Sequence, residues 1–143
     1  MIKFRTIIEV VGYPEDYIKE AINKIIENIK QKEYYKILYL YIEETKKLDK
    51  MFSTFAEIEI ESQKLQDVLE FCFDYLPSSV EIIEPENINE KSTELAGFLN
   101  DLMLKLHEYN MVIRNLQAEN KVIKMKLENS SVSNNKKTPS PES

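Results

Sequence analysis

The chain has 143 residues and a formal charge of −6, from 25 acidic and 19 basic side chains, with one cysteine and two glycines; that length admits one modest domain and an appendage. One cysteine excludes an intrachain disulfide framework and a cysteine-built zinc site, and two glycines cannot form a P-loop or a dinucleotide fingerprint. The charge sits at the front: residues 1–89 hold 11 Lys/Arg against 18 Asp/Glu, whereas residues 90–129 hold six of each. Such a head repels phosphate backbones and makes nucleic acid an unfavoured partner.

Ile2 to Val11 reads as a strand, with Ile2, Phe4, Ile8 and Val10 on one parity and Lys3, Arg5 and Glu9 on the other. Those same charges interrupt the first apolar stretch and argue against a signal peptide. Gly12 permits a turn, and Pro14-Glu15-Asp16 suits the first turn of a helix. Ile18, Ala21, Ile22, Ile25, Ile26 and Ile29 then keep the 3.6-residue period of a buried face. Tyr34 to Ile42, rich in aromatic and β-branched residues, predicts a second strand. Glu43 to Lys50 reads as a solvated loop. In Met51 to Glu61, Ala56, Ile58 and Ile60 alternate with Glu57, Glu59 and Glu61, a half-buried strand. Ser62 is placed to cap a second helix whose buried face carries Leu65, Val68, Leu69, Cys72 and Leu76. Val80 to Ile83 supply a last short strand before Pro85.

The expected fold class is therefore α+β, a ferredoxin-like βαββαβ head over residues 1–89 with both helices on one face of the sheet. On its open face Lys3 and Arg5 fall near Glu57, Glu59 and Glu61, as cross-strand pairs of opposite charge.

From residue 95 the apolar residues recur at alternating steps of four and three. Leu99, Leu106, Ile113, Asn120 and Leu127 occupy heptad position a; Leu95, Leu102, Tyr109, Leu116 and Ile123 occupy d. A sustained period of 3.5 predicts a left-handed coiled coil over residues 90–129. Asn120 is the polar exception in the seam. An asparagine at a sacrifices stability and favours a parallel, in-register dimer, in which it meets its own copy. Glu119 at g can reach Lys124 at e of the other chain, which suits the same pairing. The competing arrangement folds the helix back on its own head. Phe98, Met103 and Val112 widen the apolar stripe at e and g in the first half only, and Gly97 at f costs about 1 kcal/mol against Ala. Residues 130–143, mostly Ser, Asn, Lys and Pro, are expected to be disordered; Thr138-Pro139 and Ser140-Pro141 lie there.

Residues that carry chemistry are sparse. His107 falls at an exposed b position with no dyad partner, and Cys72 on a buried helix face suits inert packing. Glu43, Glu44 and Asp49 lack the Gly or Asn punctuation of a calcium loop. No catalytic, metal or cofactor residue is assigned, and a non-enzyme is expected. Tyr35, Tyr39 and Tyr41 share a parity on the second strand and form a candidate partner face. They could stack RNA bases, but the glutamates of the neighbouring strand oppose a phosphate chain, so covering an edge strand at a protein contact is preferred. A basic-zipper DNA binder is excluded because Glu84, Pro85, Glu86 and Glu90 stand where its basic region would lie. No run reaches the ~18 apolar residues of a bilayer span, and a cytoplasmic location is expected.

Val68-Leu69-Glu70-Phe71, followed by Ser79 to Glu86, resembles the close of the WCX module, the ferredoxin-like extension that follows WYL domains in bacterial regulators. With no helix-turn-helix and no WYL domain here, that resemblance carries no DNA-binding role. Over its whole length the chain is similar to small archaeal proteins of unassigned function, sharing stretches such as Phe52 to Glu57, Phe71 to Tyr75 and Phe98 to Leu102. This implies an archaeal origin and no activity. The expected protein is a dimeric scaffold or adaptor that presents its heads to another protein; a small-molecule sensor is the alternative and an RNA-binding module the second.

Overall fold

The computed structural model describes residues 1–135. Its elements run β1 (Ile2–Gly12), α1 (Glu15–Lys30), β2 (Lys36–Ile42), β3 (Lys46–Leu48), β4 (Met51–Ser62), α2 (Leu65–Tyr75), β5 (Ser79–Glu84) and α3 (Ser92–Asn135). The protein is α+β, with a five-stranded antiparallel sheet and a long C-terminal helix. The sheet order is β2-β4-β1-β5, with β3 also paired to β4. The two longest strands, β1 and β4, lie at its centre, joined from Ile2 opposite Ser62 to Gly12 opposite Phe52.

The alternation in β1 and β4 explains why they are central. Phe4, Thr6, Ile8, Ala56, Ile58 and Ile60 all point to one face and are buried there. α1 lays Ile22, Ile26 and Ile29 on this face and α2 lays Val68 and Phe71 beside them, so both helices cover the same side. Phe71 organises the aromatic part of the core, meeting Phe4 and Tyr35 edge-on at ring distances of 5.4 and 5.5 Å. Helix starts follow local chemistry. The Pro14 carbonyl accepts from Tyr17 N at 3.1 Å, and Glu15 and Asp16 complement the helix dipole in the first turn of α1. α2 ends where Leu76 turns left-handed (φ 45°) and its N–H returns to the Cys72 carbonyl.

Four local expectations require correction. The segment read as a solvated loop contains β3, closed onto β4 by the two-residue turn Asp49-Lys50. Asp49 takes φ 54°, a left-handed conformation that aspartate tolerates. The expected βαββαβ order thus gains a strand. Ser62 does not cap α2: it is the buried last residue of β4, and the cap is Lys64, whose N–H donates to Asp67 Oδ2 at 3.1 Å. The helix expected to end near residue 129 continues to Asn135. Ser130, Ser131 and Ser133 there donate their hydroxyls to carbonyls three residues back, which satisfies these side chains within the helix. Residues 136–143, with Thr138-Pro139 and Ser140-Pro141, lie outside the described residues.

The fourth correction is Tyr35. It does not share a face with Tyr39 and Tyr41, because the β2–β4 register shifts between Ile37 and Tyr39. The extra residue, Leu38, is a bulge that reverses the parity of the rest of the strand. Tyr35 is consequently a core residue, 6% exposed, and its hydroxyl donates to the Asp67 carbonyl at 2.8 Å. Burial pushes the Tyr35 phenol well above its usual pKa, so it stays a neutral donor. Tyr35→Phe should keep the packing and lose this link between β2 and α2. The expected loss is about 1 kcal/mol, or roughly 4–8 °C in the melting temperature of a head this size, measured by thermal denaturation.

One compact unit runs from Met1 to Phe98 and a second begins at Leu99, within α3. The first extends beyond residue 89, where the sequence placed the head's end. Ile88, in the connector between β5 and α3, packs against the core.

Candidate functional site

Two surfaces have the chemistry of interaction sites. The first is α3. None of its residues is buried, and the seam residues Leu95, Leu99, Leu106, Tyr109, Ile113, Leu116, Ile123 and Leu127 are all exposed. Only Leu102 of the apolar seam residues is intermediate. At 44 residues the helix is about 66 Å long. An isolated helix with a continuous apolar stripe leaves its hydrophobic free energy unrealised. Asn120 sits in that stripe and is exposed as well. Nearer the head, Lys105 reaches Glu108 at 3.8 Å along the helix surface. At the helix entry the Glu90 carboxyl is held above its usual range by its hydrogen bond with Glu94 and by burial, in that order. Among the described residues of the chain, a Cβ at Gly97 would meet nothing within 4 Å.

The second surface is the helix-free face of the sheet. Arg5 on β1 stands at its centre. Its Nε donates to Glu59 Oε1 at 3.0 Å, Glu57 lies at 3.5 Å, and Glu81 of β5 at 3.4 Å. The bond to Glu59 raises the guanidinium pKa further, so this cation is permanent. Lys3 turns to Glu84 of β5 at 3.3 Å, although its register partner on β4 is Glu61. The glutamate ladder is thus a bridged network spanning β4, β1 and β5. Solvent exposure keeps each such pair weak, but together they set an acidic face on which Arg5 and Lys3 are already engaged.

Of the three tyrosines the sequence brought together, Tyr39 and Tyr41 do lie on this open face, opposite Glu59 and Glu57, and are 46% and 44% exposed. Tyr41 donates to Glu43 Oε2 at 2.6 Å, which raises its pKa, and its ring tilts against Phe55 at 6.4 Å. The two rings, half exposed, form an aromatic ridge along the β2 edge, with Tyr41 held by the Glu43 carboxylate and the Phe55 ring. What the sequence could not place was the Leu38 bulge, which also exposes Leu38 itself.

Elsewhere the chemistry is quiet. Cys72 is partly buried and burial pushes its thiol pKa up, away from thiolate reactivity. Among the described residues no group of three or more His, Cys, Asp or Glu is placed to hold a metal ion. A shallow groove of about 490 Å³ between α1 and α2, lined by Ala21, Lys24, Ile25, Asn28, Asp74 and Tyr75, is open to solvent. Its polar floor is internally satisfied where Tyr75 donates to Asn28 Oδ1 at 2.7 Å. Among the described residues no helix is long and apolar enough to cross a membrane.

No curated protein and no solved structure matches the chain. A family model does match, over residues 3–134, which takes in every strand of the sheet and nearly all of α3. The chain belongs to the MJ0538 family.

Proposed function

We propose that the protein is a non-catalytic homodimeric scaffold: two ferredoxin-like heads, held by a parallel coiled coil of α3, display the open face and the β2 edge to a protein partner. The observation that carries this reading is the seam of α3, ten heptad positions of which none is buried in the single chain. A second copy is the simplest partner, because the same stripe is complementary to itself in a two-fold arrangement. Asn120 favours the parallel register, in which its amide meets its twin. The strand order β2-β4-β1-β5 supports a ferredoxin-like head, with β3 as an added hairpin strand.

On this reading the head's partner is a protein that tolerates acid. Glu57 and Glu59 lie opposite the tyrosine ridge, and Glu61, Glu81 and Glu84 carry the acidic face on toward β5; this disfavours nucleic acid and suits a contact with basic residues and an apolar patch. Replacing Tyr39 and Tyr41 together by Ser should leave the head folded, since both are exposed, while weakening partner capture by at least about tenfold, the loss of one or two aromatic hot spots. Affinity capture with parent and double variant as baits checks this. Equal recovery by both removes the tyrosine ridge from the interface. Tight binding of single-stranded RNA by the parent, lost in the double variant, replaces the adaptor reading with an RNA-binding one.

A further inference from the structure

The sheet has two edges of unlike character. β2 is guarded by its bulge at Leu38 and begins with Lys36, devices that discourage a further strand from adding on. β5, Ser-Val-Glu-Ile-Ile-Glu, has its bulge at its far end, at Ile83, and contains neither lysine nor proline, its two glutamates apart. It pairs with β1 on one side only. Val80 and Ile82 lie opposite Thr6 and Phe4, on the side of the sheet that the helices cover. Yet Val80, Ile82 and the bulged Ile83 are 39%, 40% and 38% exposed and take no part in the core. α1 and α2 make at most marginal contact with this strand, whereas both pack on β1 and β4. The head therefore leaves one apolar strand bare on its helical face as well as open along its hydrogen-bonding edge.

Chain length says what is near it. Seven residues, 85–91, join Glu84 to Ser92, and they span at most about 25 Å. In a parallel coiled coil the β5 strands of both copies thus end within that distance of the common axis. β2 forms the opposite edge of the sheet, three strand spacings from β5, roughly 14 Å. A two-fold axis presents identical strands to each other in antiparallel sense. Glu81 and Glu84 would oppose such a joint if free, but they are drawn across the outer face to Arg5 and Lys3 of their own chain. The bulge at Ile83 confines regular pairing to Ser79–Ile82.

We propose that β5 is the second contact of the homodimer: the β5 strands of two copies pair antiparallel about the two-fold axis and join the heads edge to edge into one continuous sheet. This inference rests on the homodimer proposed above, and its test separates the two. Hydrogen exchange over residues 79–84 is measured by mass spectrometry on the full chain, with light scattering on the same samples. The segment should exchange at least about tenfold more slowly in the parent than in a Leu116→Asp monomer, because pairing protects edge amides; residues 56–60 of β4, deep in the head, should exchange alike in both. Ile82→Lys should remain a two-chain particle through α3 and exchange over 79–84 as fast as the monomer. A dimeric parent in which 79–84 exchange as fast as in Leu116→Asp removes the edge contact and leaves the coiled coil standing. Undiminished protection in Ile82→Lys also overturns the edge contact, and a monomeric parent overturns both readings.

Discussion

Replacing Ile58 by Asp is expected to abolish the cooperative thermal melt of the head. Ile58 is fully buried on β4, paired across the sheet with Thr6 on one side and Leu40 on the other. Its neighbours are apolar. The one buried side-chain polar atom without a hydrogen bond among the described residues, Thr6 Oγ1, belongs to that cross-strand partner, but a single hydroxyl cannot solvate a carboxylate. An unpaired buried charge costs several kcal/mol, and the lost isoleucine packing adds about 2–3 kcal/mol. Together these approach the 5–15 kcal/mol that typically stabilises a domain. Circular dichroism during heating measures the outcome. A cooperative transition near the parent temperature would place residue 58 on the solvated face and overturn the arrangement of β4. The neighbouring Glu57→Gln is the matching control: it lies on the open face, at 3.5 Å from Arg5, and should shift stability by less than about 1 kcal/mol.

The second large effect is expected in α3. Leu116→Asp should convert a dimer to a monomer while leaving the sheet intact. At position d each Asp would face its copy, replacing an apolar contact worth about 2–5 kcal/mol per chain by like charges in a desolvated seam. Each 1.4 kcal/mol is a factor of ten in the dissociation constant, so several orders of magnitude are lost. Asn120→Ile should act in the opposite direction. Removing the buried amide raises the melting temperature of the coiled coil, and losing the register marker broadens the distribution of oligomers. Light scattering on parent, Leu116→Asp and Asn120→Ile at tens of micromolar separates the cases. A monomeric parent would mean that the seam does not pair between chains, and the scaffold reading would fall with it.

Periodicity was the legible part of this protein, because it is a local property of the chain. The alternation of Ala56, Ile58 and Ile60 with Glu57, Glu59 and Glu61 requires a half-buried strand wherever its partners lie. The 3.6-residue spacing of Ile18 to Ile29 and the 3.5-residue spacing of Leu95 to Leu127 likewise state the shape of a helix and of its apolar stripe. Even the pairing of Arg5 with Glu59 followed once β1 and β4 were taken as neighbours. The helix of residues 92–135 and the apolar stripe along it could therefore be laid out from sequence, although where the helix ends could not.

Tertiary structure decided whatever depends on the hydrogen-bond ladder between distant residues. β4 is twelve residues long and β2 pairs with it only from Ala56 to Glu61. Its first residues would otherwise lack a partner on that side, and Lys46–Leu48, with no strand pattern of its own, is recruited as β3. The same ladder places the bulge at Leu38, sending Tyr35 into the core and leaving Tyr39 and Tyr41 outside. It also leaves Val80 and Ile82 bare, since an apolar strand is covered only if a helix is long enough and positioned to reach it. A residue's period sets which of its neighbours share its face; the register of strands distant in the chain, as between Arg5 and Glu81, 76 residues apart, sets which face that is and what covers it.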